Sequence, residues 1–127
     1  MLFRSGYVLA LPKGQERTAM QILKPRSAET PLTWTSRYGS LAFTQFGVGM
    51  AISGMNDQGL AIETLVNATG AEGGGDESKI RLVSLQWVQY QLDTAKDVAE
   101  VLQSLSTIEP QQFLIAVHFL ACDRSGA

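Results

Sequence analysis

The chain has 127 residues, 45% hydrophobic and 17% charged, the size and composition of one globular domain or a piece of one, and not of a disordered polymer. Its net charge of −2, with no run of Lys or Arg, excludes a basic footprint for nucleic acid or anionic lipid, and its longest apolar run, residues 113–122 interrupted by His118, is far short of the roughly 20 residues a membrane-spanning helix needs. A single cysteine, Cys122, excludes an intrachain disulfide and a four-cysteine zinc site.

Residues 1–5 have neither the apolar stretch nor the cleavage site of a signal peptide and read as a non-native leader. Residues 6–11 (GYVLAL) predict a strand, and Pro12, Lys13, Gly14 and Gln15 supply turn chemistry after it. Residues 24–31 are polar, hold two prolines and predict a loop. Residues 40–46 alternate, with Leu41 and Phe43 on one face, as a strand does. Residues 51–53 and 60–66 predict the arms of a hairpin around Met55, Asn56, Asp57, Gln58 and Gly59, with 51–53 antiparallel to 60–62 and Gly59 at positive φ. Turn geometry accounts for Asn56 and Asp57. On the second arm Glu63, Leu65 and Asn67 share one face, and Ile62, Thr64 and Val66 the other.

Residues 69–76 form a Gly-rich segment without the Gly-Lys-Ser/Thr ending of a phosphate loop, and the hydrophobic period then changes. Residues 81–92 predict a helix with Leu85, Val88 and Leu92 on one face and Val83, Trp87 and Tyr90 beside it. Thr94-Ala95-Lys96-Asp97 matches a capping box, opening a second helix that turns Val98, Val101, Leu102 and Leu105 to a sheet and leaves at Pro110. Residues 113–122 alternate two largely apolar sets, as in a strand covered on both faces. Strands, two helices and another strand give an α+β class. One partial domain is expected over 1–127: strands and hairpin over 6–68, a Gly-rich loop over 69–79, a helix pair over 80–109 and a strand over 113–122.

Four segments carry a family resemblance: WTSRYGS at 34–40, GMNDQGL at 54–60, LQWVQYQLD at 85–93 and HFLACDRSG at 118–126. Their motifs and order resemble the linear amide C–N hydrolases of the choloylglycine hydrolase and penicillin V acylase family, bacterial N-terminal-nucleophile enzymes. The resemblance implies an αββα sandwich, of which this chain would be an internal fragment, incomplete at both ends. It implies a small-molecule N-acyl amide substrate and no cofactor. It also implies a cysteine at the mature N-terminus whose thiol attacks the amide carbonyl, with its own α-amino group, titrating near pH ~8, as base. That cysteine and its assisting Arg and Asp would precede residue 6, and a further Asn and Arg would follow residue 127. The fragment alone is therefore expected to be inactive.

Within the chain the same resemblance places a substrate-polarising Asn, Tyr or Trp at Val66, which has no donor for an oxyanion. Asn67 takes that role if a bulge re-aims it. Phe46, Gly47 and Val48 fall where the family has a pocket loop, so Phe46 is a second candidate for the substrate site, and a core phenylalanine ending a strand is its plain alternative. Cys122 ends an apolar strand and is expected to be a buried structural thiol. His118, the one histidine, is expected to be partly buried and satisfied. The identity of the acyl amide (bile salt, phenoxyacyl penicillin or acyl-homoserine lactone), the compartment, cytoplasmic or periplasmic, and homo-oligomerisation stay open. A non-catalytic α+β binding domain of the same descent is the alternative to an enzyme fragment, and an enzyme acting through Cys122 is a third reading.

Overall fold

The computed structural model describes residues 6–21, 30–67, 75–112 and 115–127; the leader at 1–5, most of the 24–31 and 69–76 segments, and residues 113–114 lie outside the described residues. In chain order the elements are β1 (Tyr7–Leu11), β2 (Glu16–Thr18), β3 (Thr33–Thr35), β4 (Ser40–Thr44), β5 (Ser53–Asn56), β6 (Ala61–Val66), β7 (Ile80–Val83), α1 (Ser84–Thr94), α2 (Val98–Ser104), β8 (Ile108–Gln111) and β9 (Val117–Cys122). Five of the strands make one antiparallel sheet in the order β1-β4-β5-β6-β9, while β2-β3 and the parallel β7-β8 are separate two-stranded pairs. The α+β class is the observed one.

Because side chains alternate across a strand, each strand of the large sheet sends half its residues to α1 and half away from it. The α1 side takes the small or apolar set: Ala42 and Ile62 join Trp87, Val88 and Leu92 in the main core, with the buried Gly54 paired between them. Gly54 is required there by close approach. A Cβ on it would lie 2.5 Å from the Leu41 carbonyl oxygen and 2.8 Å from Leu92 Cδ1. The other side of the sheet is uncovered, and Val8, Leu41, Phe43, Met55, Leu65 and Leu120 stand exposed on it in register across the five strands.

Helix α1 is buried nearly all round, polar residues included. Each exposed-type side chain on it therefore needs an internal partner. Gln86 Nε2 donates to the Thr18 carbonyl (3.1 Å) and its Oε1 accepts from Met20 N (2.6 Å). Gln91 Nε2 donates to Ser104 Oγ on α2 (2.8 Å).

The structure corrects several expectations. Residues 80–83 are strand β7, and α1 starts at Ser84; Arg81 and Leu82 pair with Glu109 and Pro110 of β8 instead of winding the first helical turn. Pro110 thus sits inside a strand of a two-stranded pair, where one side of its backbone has no ladder to serve. Thr94 is the last residue of α1, its hydroxyl donating back to the Tyr90 carbonyl (2.7 Å), and the cap of α2 is Asp97, which accepts from Glu100 N (2.9 Å). Glu100 in turn accepts from Lys96 N (3.0 Å), so a capping pattern is present, three residues later than expected. Val101 is the buried residue of α2, with Val98 and Leu105 partly buried, while Leu102 is 63% exposed. The hairpin is tighter than expected: Met55 opposes Ala61 and Ser53 opposes Glu63, leaving residues 57–60 as the turn, with Gly59 at φ 89° as anticipated. Strand β9 begins at Val117 and is covered on one face only, so His118 and Cys122 are exposed, not buried.

Candidate functional site

Three of the four motif segments meet at the C-terminal end of α1, and the fourth, 118–126, meets the start of α2 through Asp123. Asp93, fully buried, accepts from Arg17 Nε (2.7 Å) and Trp34 Nε1 (2.8 Å) on Oδ2 and from Gln89 Nε2 (2.9 Å) on Oδ1. Its backbone carbonyl takes Arg37 N (2.8 Å) and Tyr38 N (3.3 Å). Trp34 also meets Tyr90 edge-on, with ring centroids 5.4 Å apart. Asn56 does more than turn the hairpin. Its Nδ2 donates to the Leu92 (3.0 Å) and Ala95 (2.7 Å) carbonyls, orphan acceptors at a helix end, while Oδ1 accepts from Gln58 N and Leu60 N (both 3.1 Å). Asp57 Oδ2 accepts from Gly39 N (3.1 Å), and Asp123 Oδ2 accepts from Val98 N (2.9 Å) at the start of α2. Sequence reading missed this assembly, since its partners lie far apart in the chain; the one available signal was an aspartate closing an otherwise apolar helix face.

The perturbed carboxylates belong to turns. Asp57 is held below the usual carboxylate range by the Gln58 side-chain amide and then by Gly39 N–H. Asp76 is lowered by the Ser78 hydroxyl and backbone, and Asp123 by the Ser125 hydroxyl, then Val98 N–H and Ser125 N–H. In each the charged form is stabilised by donors in the fold.

Phe46, Val66 and Asn67 lie at one end of the five-stranded sheet, the end where β4 finishes, β5 starts and β6 finishes. Strands β4 and β6 both flank β5, so the Phe46 loop and the end of β6 are two strand spacings apart, about 10 Å. Pairing of β6 with β9 is one-to-one from Ala61↔Cys122 to Val66↔Val117, and Asn67 N still donates to the Ala116 carbonyl (2.9 Å). There is no bulge at Val66 or Asn67. Regular alternation puts Val66, 69% exposed, on the side that α1 covers further along the strand, and Asn67 on the side of Glu63 and Leu65, the open face. Phe46 is half exposed at the start of the loop joining β4 to β5.

Cys122 and His118 stand on the open face of β9, Cys122 at the end of the sheet away from Phe46 and Asn67. Among the described residues no group of three or more His, Cys, Asp or Glu is placed to hold a metal ion, and no helix is long and apolar enough to cross a membrane. A surface groove of about 530 Å³ lies between α2 and the Asp123 turn, lined by Lys96, Asp97, Val98, Leu102, Asp123 and Arg124 among others. Its two aspartates are already committed to backbone N–H groups of the first turn of α2.

A sheet with helices on one face and an open apolar face on the other, its helix locked by buried polar staples, is one layer pair of a layered α+β fold. The model for linear amide C–N hydrolases of the choloylglycine hydrolase family matches residues 14–127, and the chain belongs to that family. Among solved structures it is similar to a penicillin V acylase from Agrobacterium tumefaciens, at 26% identity and TM-score 0.71 over 94% of this chain and 36% of that one. It shares the fold of two variants of the conjugated bile acid hydrolase from Clostridium perfringens. One is 16% identical with TM-score 0.73 (98% of this chain, 39% of that), the other 19% with TM-score 0.66 (99% and 39%). The chain thus spans 36–39% of the length of these structures. No curated protein matches the sequence.

Proposed function

We propose that the chain is the scaffold part of an enzyme that hydrolyses linear N-acyl amides, and that the nucleophile comes from outside these 127 residues. The family match over 14–127 carries this reading. In the chemistry of that family an N-terminal cysteine thiol, deprotonated by its own α-amino group, adds to the acyl carbonyl. The C–N bond breaks, the amine leaves with a proton, and water hydrolyses the resulting thioester, which splits one difficult step into two. Cys122 does not fit that part, because it ends a strand in mid-chain and has no free α-amino group.

In this reading the substrate cleft lies at the end of the sheet that carries Phe46, Val66 and Asn67. Without a bulge the Asn67 amide stays on the face opposite Val66, so it supplies the polarising donor only if the acyl carbonyl sits on the open face of the sheet. The test uses the intact enzyme: Asn67→Ala lowers kcat on an N-acyl amide about 10²-fold if the amide polarises the carbonyl, about 3 kcal/mol of transition-state stabilisation. An unchanged kcat removes Asn67 from the site. The chain alone is expected to leave penicillin V and glycocholate intact. Turnover by the chain that disappears in Cys122→Ala overturns the reading.

The second reading, a non-catalytic binding domain of the same descent, draws on Val66, a side chain without a hydrogen-bond donor where the family places a donor. The coding sequence upstream decides between them, since the enzyme requires a cysteine after the initiator Met or a cleavable leader.

A further inference from the structure

The loop joining β4 to β5 is organised around one oxygen atom. Thr44 ends β4 almost fully buried, and its Oγ1 accepts from Phe46 N (3.0 Å) and Gly47 N (3.1 Å) while its hydroxyl donates to the Met50 carbonyl (2.6 Å). A hydroxyl has one donor and two acceptor positions, and all three are spent within residues 44–50. Met50 N closes the loop further on the Gly47 carbonyl (3.3 Å). Behind the loop, Met50 is buried against Val83 and Leu85, with Ile52 beside them. In front it presents two large apolar side chains to solvent, Phe46 at 50% and Val48 at 65% exposed. Such a segment is rigid at its back and apolar at its front. Exposed large apolar groups held at fixed positions are the usual lining of a binding surface.

We infer that Thr44 is a positioning residue for the acyl-binding wall formed by Phe46 and Val48, and thereby sets the acyl-chain preference of the hydrolase; this rests on the function proposed above. The physical reason is the bond inventory. Without Oγ1 the Phe46 and Gly47 amides and the Met50 carbonyl lose their common partner, and the loop opens to give them to water. Phe46 then no longer holds one position. An apolar wall touches the acyl tail equally in the bound substrate and in the transition state, so its loss raises KM and leaves kcat in place. A short acyl group does not reach the wall and is indifferent to it.

The experiment compares the intact wild-type enzyme with Thr44→Val, Thr44→Ser and Phe46→Ala on a series of N-acyl 4-nitroanilides from acetyl to decanoyl. Amide exchange at Phe46 and Gly47 is followed in parallel. In Thr44→Val, KM for the decanoyl substrate rises roughly tenfold, KM for the acetyl substrate stays within about twofold, and kcat is kept for both. Both amides lose protection. Thr44→Ser, which keeps the oxygen, behaves as wild type, and Phe46→Ala reproduces the length-dependent rise in KM. If Thr44→Val does not fold, Phe46→Ala and Thr44→Ser carry the test, and a flat KM series in Phe46→Ala refutes the wall. An equal change across the series, a fall in kcat on the acetyl substrate, or unchanged protection in folded Thr44→Val overturns the role of Thr44. No turnover of any member by the wild-type enzyme overturns the proposed function and this role together, whereas turnover with a flat series overturns this role alone.

Discussion

The buried ion pair between Arg17 and Asp93 offers a substitution that removes charge while keeping shape. Both side chains are nearly or fully enclosed, and Arg17 Nη2 has no partner. In Asp93→Asn the carboxamide oxygen keeps the bonds from Arg17 Nε and Trp34 Nε1. Its new NH₂ would face the Gln89 Nε2 donor, but the Gln89 amide can rotate, because its Oε1 is buried without a partner. The hydrogen bonds thus survive and only the negative charge is lost, leaving a guanidinium buried and uncompensated. Breaking such a pair costs about 3–5 kcal/mol, and the retained bonds place this variant near the lower figure. With m about 1.5 kcal/mol/M, the urea midpoint falls by about 2 M. Arg17→Met combined with Asp93→Asn leaves a neutral site and returns to within about 1 kcal/mol of wild type. The assay is urea denaturation of all four members of the cycle. A midpoint shift in Asp93→Asn corresponding to less than about 0.5 kcal/mol, or a double variant as destabilised as the sum of the singles, refutes the reasoning.

Val101→Ala costs about 2 kcal/mol by thermal or urea denaturation, whereas Leu102→Ser, one position on and exposed, changes stability by less than about 0.5 kcal/mol. Gly54→Ala destabilises by about 2 kcal/mol or more, since the new methyl meets the Leu41 backbone oxygen and the Leu92 side chain; a neutral result in a melting curve contradicts the close approach of α1 to β5. Asp123 has a folded pKa below its unfolded value near ~3.9, so its contribution is present above that value and is lost as pH falls through the folded one. The stability gap between wild type and Asp123→Asn should therefore be open at about pH 6 and narrow at about pH 2.5, and a gap independent of pH contradicts the role of the Val98 and Ser125 donors.

Local periodicity made β1, β4, the hairpin and the two helices readable before any coordinates. What it misread has local causes as well. Arg81-Leu82-Val83 continues the apolar spacing of α1, and nothing nearby reveals that its partner is a parallel strand at Ile108–Gln111, reached across both helices. Thr94-x-x-Asp97 and Asp97-x-x-Glu100 both satisfy a capping pattern; the second wins because α1 continues through Thr94. Leu102 shares a spacing with Val98 and Leu105, yet the stripe that faces inward is centred on Val101. For β9, both alternating sets are largely apolar and read as a strand covered on both faces, whereas one face is open. His118 and Cys122 were misplaced for that reason. At the candidate site, Phe46 and Val66 were placed by the family resemblance, and Asn67 by an expected bulge that the regular β6–β9 pairing does not contain. The part played by Thr44 was not legible, because a threonine ending a strand looks like any other until its loop is built.

The convergence of the motif side chains on the two helices has an evolutionary consequence. Trp34 and Asn56 hold α1 through Asp93 and its last carbonyls, Asp123 holds the start of α2, and none of them requires a substrate to do so. Selection for folding alone is enough to preserve them. A descendant that lost its nucleophile and took up binding or regulation would keep the same four signatures for as long as it kept both helices, and its ancestry would stay legible after its chemistry had gone.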